Sequence, residues 1–280
     1  MYVDYHVHPD YSIDASSSID DYCRKAIEIG LDEICFTTHY DIDPVRKEKD
    51  DFVRVSGEIM SFDSNWLDYY FEDLEKARTT YGKLGLRVKF GIEIEYRKDI
   101  EEKIKRNLKD YSFDLIVGAI HCLDHRAINL EDEFKSCFKE LSIEEMCEKY
   151  YLEVEEAVDS GLFDIIAHLD LYKKFGIAYY GKDLINECNL IVDRVFDLME
   201  NKAVGLEINT SCYRYGFNEP FPSIELLEKW RQSEPCVLTI GSDAHDVKYL
   251  GQYIKNGIVI AKKIGLKICI FKQRKVEKYF

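Results

Sequence analysis

Short β-rich runs alternate with stretches of helical periodicity from one end of this chain to the other, and nothing else in the sequence constrains the fold as much. Strand-like runs stand at YVDYHVH (2–8), EICFTTH (33–39), RVKFGIEIEY (87–96) and FDLIVGAIH (113–121). They continue at FDIIAHLDL (163–171), VGLEINTS (204–211) and CVLTIGSDAH (236–245), with LKICIF (266–271) as a possible eighth. Between them, IDDYCRKAIEIG (19–30), IEEMCEKYYLEVEEAVDSG (143–161) and LINECNLIVDRVFDLMENK (184–202) carry apolar residues at helical spacing. Ser18 is placed to cap the first of these helices and Gly30 to stop it. Strands separated by helices can pair in parallel, because each crossover returns the chain to the same end of the sheet. Seven or eight such units suit a barrel better than an open sheet. No Pro/Gly/Ser-rich linker interrupts the 280 residues, so one α/β domain spanning 1–280 is expected.

Composition narrows the setting. Apolar residues make up 46% and charged residues 32%, a globular profile. No apolar run approaches the ~18–20 residues of a membrane span. The N-terminus lacks a basic segment followed by an apolar one, so a soluble, cytoplasmic protein without membrane partners is expected. Nine scattered cysteines with no C-x-x-C pair argue against a disulfide framework, and most are expected to be small buried hydrophobes. The net charge of -15 disfavours a nucleic-acid partner, since the bare surface repels a phosphate backbone. A small phosphorylated substrate is still compatible, because bound metal ions reverse the field locally.

The histidines say where the chemistry lies. Of seven, six sit at or near the C-terminal end of a strand-like run: His6, His8, His39, His121, His168 and His245. Only His125 falls well inside a loop. In a parallel barrel those strand ends share one rim, the face on which active sites form. Three long segments, 40–63, 122–142 and 212–222, follow strand ends and are expected to wall that face. His6 and His8 leave the same side of an extended strand, and Asp243 and His245 repeat the spacing in GSDAH. Asp14 follows His8, and Glu93 and Glu95 share one face of GIEIEY. A lone strand-end histidine is usually a hydrogen-bonded structural residue, but six converging with carboxylates form a ligand set for Zn²⁺, Mn²⁺ or Fe²⁺. Spacing alone does not choose between Glu93 and Glu95.

DYHVHPDYSID, TTHYD (37–41), GIEIEY (91–96) and VGAIH (117–121), followed by IAHLDLYKKFG (166–176), LEINTS (206–211) and GSDAH (241–245), occur in that order. The set resembles the PHP (polymerase and histidinol phosphatase) family and, within it, the monofunctional histidinol-phosphatases. The resemblance implies a distorted (β/α)7 TIM-like barrel holding two to three divalent ions. One ion would take His6, His8, Glu93 and Asp243. Glu93 would bridge it to a second held by His121 and His168, and a third would take Asp14, His39 and His245. Asp14 stands where some relatives have histidine. Glu95 is then left as a supporting hydrogen-bond partner.

The same resemblance implies hydrolysis of L-histidinol phosphate to L-histidinol and phosphate in histidine biosynthesis, by attack of a metal-bridging hydroxide. Three carboxylates and three divalent ions would leave the pocket with a local charge near about +3, suited to a phosphate dianion. Metal coordination lowers the pKa of water to about 7, so no protein nucleophile is required. Arg214 in NTSCYRYG is a candidate for bidentate phosphate binding, with Lys174 of LYKKFG as a second cation and Lys173 as an alternative. Asp170, two residues past His168, would share its face if the strand stays extended, and is the candidate general acid or a partner for the substrate's ammonium, with a structural hydrogen-bonding role as the alternative. His125 and Arg126 read as loop residues. Competing functions are a PHP phosphoesterase acting on a nucleotide or phosphotyrosine, and a non-catalytic PHP-like module. The sequence does not fix an oligomeric state.

Overall fold

In the computed structural model, which describes residues 1–280, seven parallel strands form one sheet in simple chain order. They are β1 (Val3–Val7), β2 (Glu33–Tyr40), β3 (Arg87–Glu95), β4 (Leu115–Ala119), β5 (Ile165–Ile166), β6 (Gly205–Asn209) and β7 (Leu238–Gly241). The sheet curls until its ends meet. Val7 bridges Ala244 in parallel, and the His8 amide donates to the Ala244 carbonyl at 2.9 Å while the Asp243 amide donates to that of His6 at 2.8 Å. This is the expected (β/α)7 barrel.

Closure needs a glycine at the seam. A Cβ on Gly241 would run into the His6 Cβ and the Glu207 carboxylate, so only glycine lets β7 approach β1 this closely. Every residue of β1, β4, β6 and β7 is buried, as strands covered on both faces must be. The core is one cluster of 81 buried residues.

The helices follow their sequence signals. Ile19–Ile29 begins at a Ser18–Asp21 capping box and ends at Gly30, whose φ of 76° is the left-handed conformation that glycine adopts without strain. Ile143–Asp159 has its own capping box from Ser142 and Glu145, and Asp183–Lys202 packs beside it.

Three expectations change. LKICIF is no barrel strand: Cys269–Lys272 pairs antiparallel with Lys275–Tyr279 in a separate hairpin. Its apolar alternation is used against the bottom of the barrel, where Tyr5 Oη accepts from the Phe271 amide at 2.8 Å. The long segments are also less irregular than their composition suggested, since 40–63 contains a hairpin, Val53–Val55 with Glu58–Met60, and 122–142 holds the helix Phe134–Phe138. Finally, Cys147 and Cys188 form a disulfide between the helices Ile143–Asp159 and Asp183–Lys202. They lie 41 residues apart in sequence, and only the packing of the two helices brings them together. Of the seven free cysteines, all but Cys236 are buried, as expected.

Candidate active site

The C-terminal ends of the strands gather the six histidines, five of them around Glu93. Its Oε1 lies 3.3 Å from His6 Nε2, 3.0 Å from His168 Nε2 and 3.8 Å from His121 Nε2. Its Oε2 lies 3.4 Å from His8 Nε2 and 3.0 Å from His39 Nδ1. Asp243 Oδ1 stands 3.7 Å from His6 Nε2 and 3.4 Å from His8 Nε2. On the solvent side, Asp14 Oδ2 is 3.2 Å from His245 Nε2 and 3.7 Å from His39 Nε2, and those two nitrogens are 3.2 Å apart. Ligand atoms ~2.0–2.1 Å from a tetrahedral ion stand roughly 3.3–3.4 Å from one another. The observed separations bracket that value.

Ring orientation points the same way. His6 Nδ1 meets Glu207 Oε1 at 2.7 Å, His8 Nδ1 meets Ser12 Oγ at 3.3 Å, and His121 Nδ1 meets Glu95 Oε2 at 3.0 Å. His245 Nδ1 faces the Asp243 carbonyl at 3.2 Å. A partner on Nδ1 that accepts its proton fixes the tautomer and leaves the Nε2 lone pair free, the arrangement of metal-binding histidines. His6 and His8 bring their Nε2 atoms to 3.0 Å of each other. Glu93 Oε2 is buried without a hydrogen bond of good geometry, although five imidazoles surround its carboxylate. Buried polar groups left in that state are the mark of a site built for a cation. The donor set of imidazoles and carboxylates therefore fits divalent metals.

Electrostatics separates the two glutamates that spacing left equivalent. Burial pushes the Glu93 carboxyl up, but the facing histidines, His6 foremost, outweigh it and hold the group well below its ordinary range. Burial pushes Glu95 up to about 8. Its two oxygens accept the His121 amide at 2.7 Å and the Cys122 amide at 3.0 Å. Glu95 thus orients His121 and Glu93 occupies the centre. For Asp14, on the solvent side of the cluster, the crowding of the rim is likewise outweighed by His245 and His39, which hold its carboxyl well below the usual range.

Two of the converging residues sit on unusual backbone. His168 has φ 29° and Asp243 φ 54°, conformations that residues with a Cβ adopt only when their surroundings enforce them. Arg214 supplies part of that enforcement. Its Nη1 donates to the Ser242 carbonyl and its Nη2 to the Asp243 carbonyl, both at 2.8 Å. A guanidinium has five N–H donors, so Arg214 braces the Asp243 loop with N–H groups left over. It also lines a cavity of about 410 Å³ with Lys174, Ser211, Tyr215, Asn129 and the histidine cluster. Lys174 Nζ stands 4.1 Å from the centre of the Tyr215 ring, and burial pulls its pKa down.

Asp170 is a correction. The chain leaves β5 after Ile166, and the positive φ of His168 ends the alternation that would have put Asp170 beside it. Asp170 is instead fully buried, accepting the Ser223 amide at 2.9 Å and pairing with Lys173 Nζ at 2.5 Å. It lies outside the cavity lining, and the pair removes Lys173 from the candidate phosphate contacts as well. His125 bonds Asp43 at 2.7 Å and Arg126 pairs with Glu140 at 2.8 Å, both away from the cluster as expected.

Glu207, Asn209 and Asp4 are the residues sequence reasoning passed over. Glu207 Oε2 accepts the His168 amide at 3.1 Å while Oε1 holds His6, and Asn209 Nδ2 reaches Asp243 Oδ2 at 3.3 Å. Asp4 accepts the Ser242 amide at 2.8 Å and the Gly251 amide at 2.9 Å. Part of their signal was present: Asp4 alternates with His6 and His8 and so faces inward beside them, while Glu207 and Asn209 share a face of the LEINTS run.

Comparison with known proteins agrees with this picture. The PHP domain model matches residues 4–211. A Deinococcus radiodurans protein named "Probable histidinol-phosphatase" is 26% identical, with 98% of each chain covered. A histidinol-phosphatase of Lactococcus lactis is 25% identical over 99% of this chain and 96% of its own. The crystal structure of histidinol phosphate phosphatase from Lactococcus lactis, complexed with zinc, L-histidinol and phosphate, superposes with a TM-score of 0.80 at 22% identity, covering 99% of both chains. The barrel is therefore shared along its whole length, and the chain belongs to the PHP domain family.

Proposed function

We infer that this protein is a metal-dependent phosphomonoesterase that hydrolyses L-histidinol phosphate to L-histidinol and phosphate, a step of histidine biosynthesis. The carrying observation is the set of imidazole and carboxylate atoms converging on Glu93 at ligand-to-ligand spacing, open to a cavity walled by Arg214 and Lys174. The choice of substrate is supported by the names of relatives that match the chain almost end to end, and by the L-histidinol and phosphate held in the Lactococcus structure. No helix is long and apolar enough to cross a membrane.

His6, His8, Glu93 and Asp243 would hold one divalent ion, Glu93 with His121 and His168 a second, and Asp14, His39 and His245 a third; zinc, manganese and iron all suit these donors. Ions bound there supply hydroxide near neutral pH and polarise the phosphoryl oxygens. The protein's own groups orient the rest. Arg214, with N–H groups beyond the two it spends on carbonyls, donates to the phosphate, and Lys174 adds a second cation. Glu207 keeps the Nδ1 proton of His6 in place, so that Nε2 stays available as a ligand, and Glu95 holds the His121 backbone with its carboxylate beside the His121 ring.

The test is phosphate release from metal-reconstituted protein, with a chelated control, on histidinol phosphate, nucleoside monophosphates and phosphotyrosine. Preference for histidinol phosphate supports the assignment. Preference for another ester moves the protein to a different phosphoesterase activity, and no release from any ester makes the barrel a non-catalytic module.

A further inference from the structure

A second cavity of about 260 Å³ adjoins the first and shares Asp14, His39, His121, Asn129 and Leu130 with it, so the two are lobes of one space. Besides Asp14 and the histidines, five charged residues line the second lobe: Asp41, Arg46, Lys49, Asp50 and Glu95. Four are already engaged. Arg46 is paired with Asp50 and with Glu133, Lys49 reaches Glu133 at 2.6 Å, and Glu95 spends both oxygens on the amides after β4. Asp41 is different. Its Oδ1 is buried with no hydrogen-bond partner, and it belongs to none of the clusters able to hold a metal. A buried carboxylate oxygen without a donor is costly, and a cationic ligand removes the cost.

The phosphomonoesterase reading supplies such a cation. Histidinol phosphate carries its ammonium on the carbon next to the ester methylene, a few bonds from phosphorus. Nucleoside monophosphates carry no ammonium, and phosphotyrosine carries its own across an aromatic ring. Resting on that reading, we propose that Asp41 determines specificity by receiving the substrate ammonium in the second lobe while the phosphate occupies the first. The two lobes then complement a substrate whose ammonium lies a few bonds from its phosphate. Arg214 and Lys174 line the first lobe, and a lone unpartnered carboxylate lines the second.

The experiment compares kcat/KM for histidinol phosphate with that for 3-(imidazol-4-yl)propyl phosphate, the same ester without the amine, on wild type, Asp41→Asn and Asp41→Glu. Metal content is measured on each by elemental analysis. Wild type should favour the amine-bearing ester. Asp41→Asn should lower that preference at least about tenfold, the loss of a charge-assisted hydrogen bond, with metal content held. Asp41→Glu, which keeps the charge, should retain part of the preference. Equal losses on both esters, or loss of metal, would mean that Asp41 acts through its neighbour His39, and would overturn the proposal. So would a wild-type enzyme that hydrolyses both esters equally well. A wild type that hydrolyses neither ester overturns the phosphatase reading itself, a distinct result.

Discussion

Replacing Glu93 and Glu95 one at a time by glutamine separates two carboxylates that share a strand and a face. Glu93 is met by five imidazoles at 3.0–3.8 Å, and both of its oxygens take part. The Glu93→Gln change removes one negative charge from the space between two proposed ions. A unit charge pair about 4 Å apart is worth ~4 kcal/mol at an effective dielectric of about 20 and a divalent ion doubles that, so metal affinity should fall by at least about a thousandfold even if only one ion feels the loss. Glu95 makes its contacts one layer out, holding the amides of His121 and Cys122 and the His121 ring. Losses of that kind cost about 10–100-fold in metal affinity or activity. Elemental analysis and kcat on both variants, with and without added metal, make the comparison. Glu93→Gln should be inactive with depleted metal, and Glu95→Gln impaired but partly rescued by excess metal. A fully metallated, active Glu93→Gln, or the reverse ranking, would show that the centre has been placed on the wrong glutamate.

Arg214→Ala should raise KM and also lower metal content, because Arg214 braces the Ser242 and Asp243 carbonyls; raised KM with full metal would limit it to substrate binding. Gly241→Ala should cost about 1–3 kcal/mol, the range for overpacking, since its Cβ meets His6 and Glu207; an unchanged urea midpoint would refute the close approach. Thiol titration of the unfolded, unreduced protein should count seven free cysteines, and a count of nine would remove the Cys147–Cys188 bridge. The bridge closes a loop whose chain-entropy contribution is about 4 kcal/mol, so reduction should lower the melting temperature.

Much of this molecule is legible in its residues, and the limits have physical causes. Helix ends read well because caps are local: Ser18 and Gly30 act within one turn of themselves. The rim of histidines reads well because strand alternation carries His6 and His8 to one side and the parallel topology brings the other strand ends to the same face. Asp170 was misplaced because that alternation assumes an extended backbone, and φ at His168 is decided by packing, which no local pattern reports. The disulfide was missed for a related reason, since Cys147 and Cys188 have no signature spacing and meet only across two packed helices. Asp4 lay in plain alternation with His6 and His8, and Glu207 lay in the quoted LEINTS run, but a buried acid that holds a histidine and one that binds a metal look alike in sequence.

The seam joining β1 to β7 makes the site a gauge of the finished fold. His6 comes from the first strand and His8 from just past it, Asp243 and His245 from just past the seventh, and backbone hydrogen bonds join the two at that line. The donor set runs from His6 to His245, so neither half of the chain contains it, and a molecule truncated within that span or half-folded offers only fragments of it. Ions that bind across the seam also favour the closed barrel over every open form, by the amount they bind it better. Catalytic competence and completion of the ring thus arrive together, and the chain's two ends are clasped by the same atoms that do its chemistry.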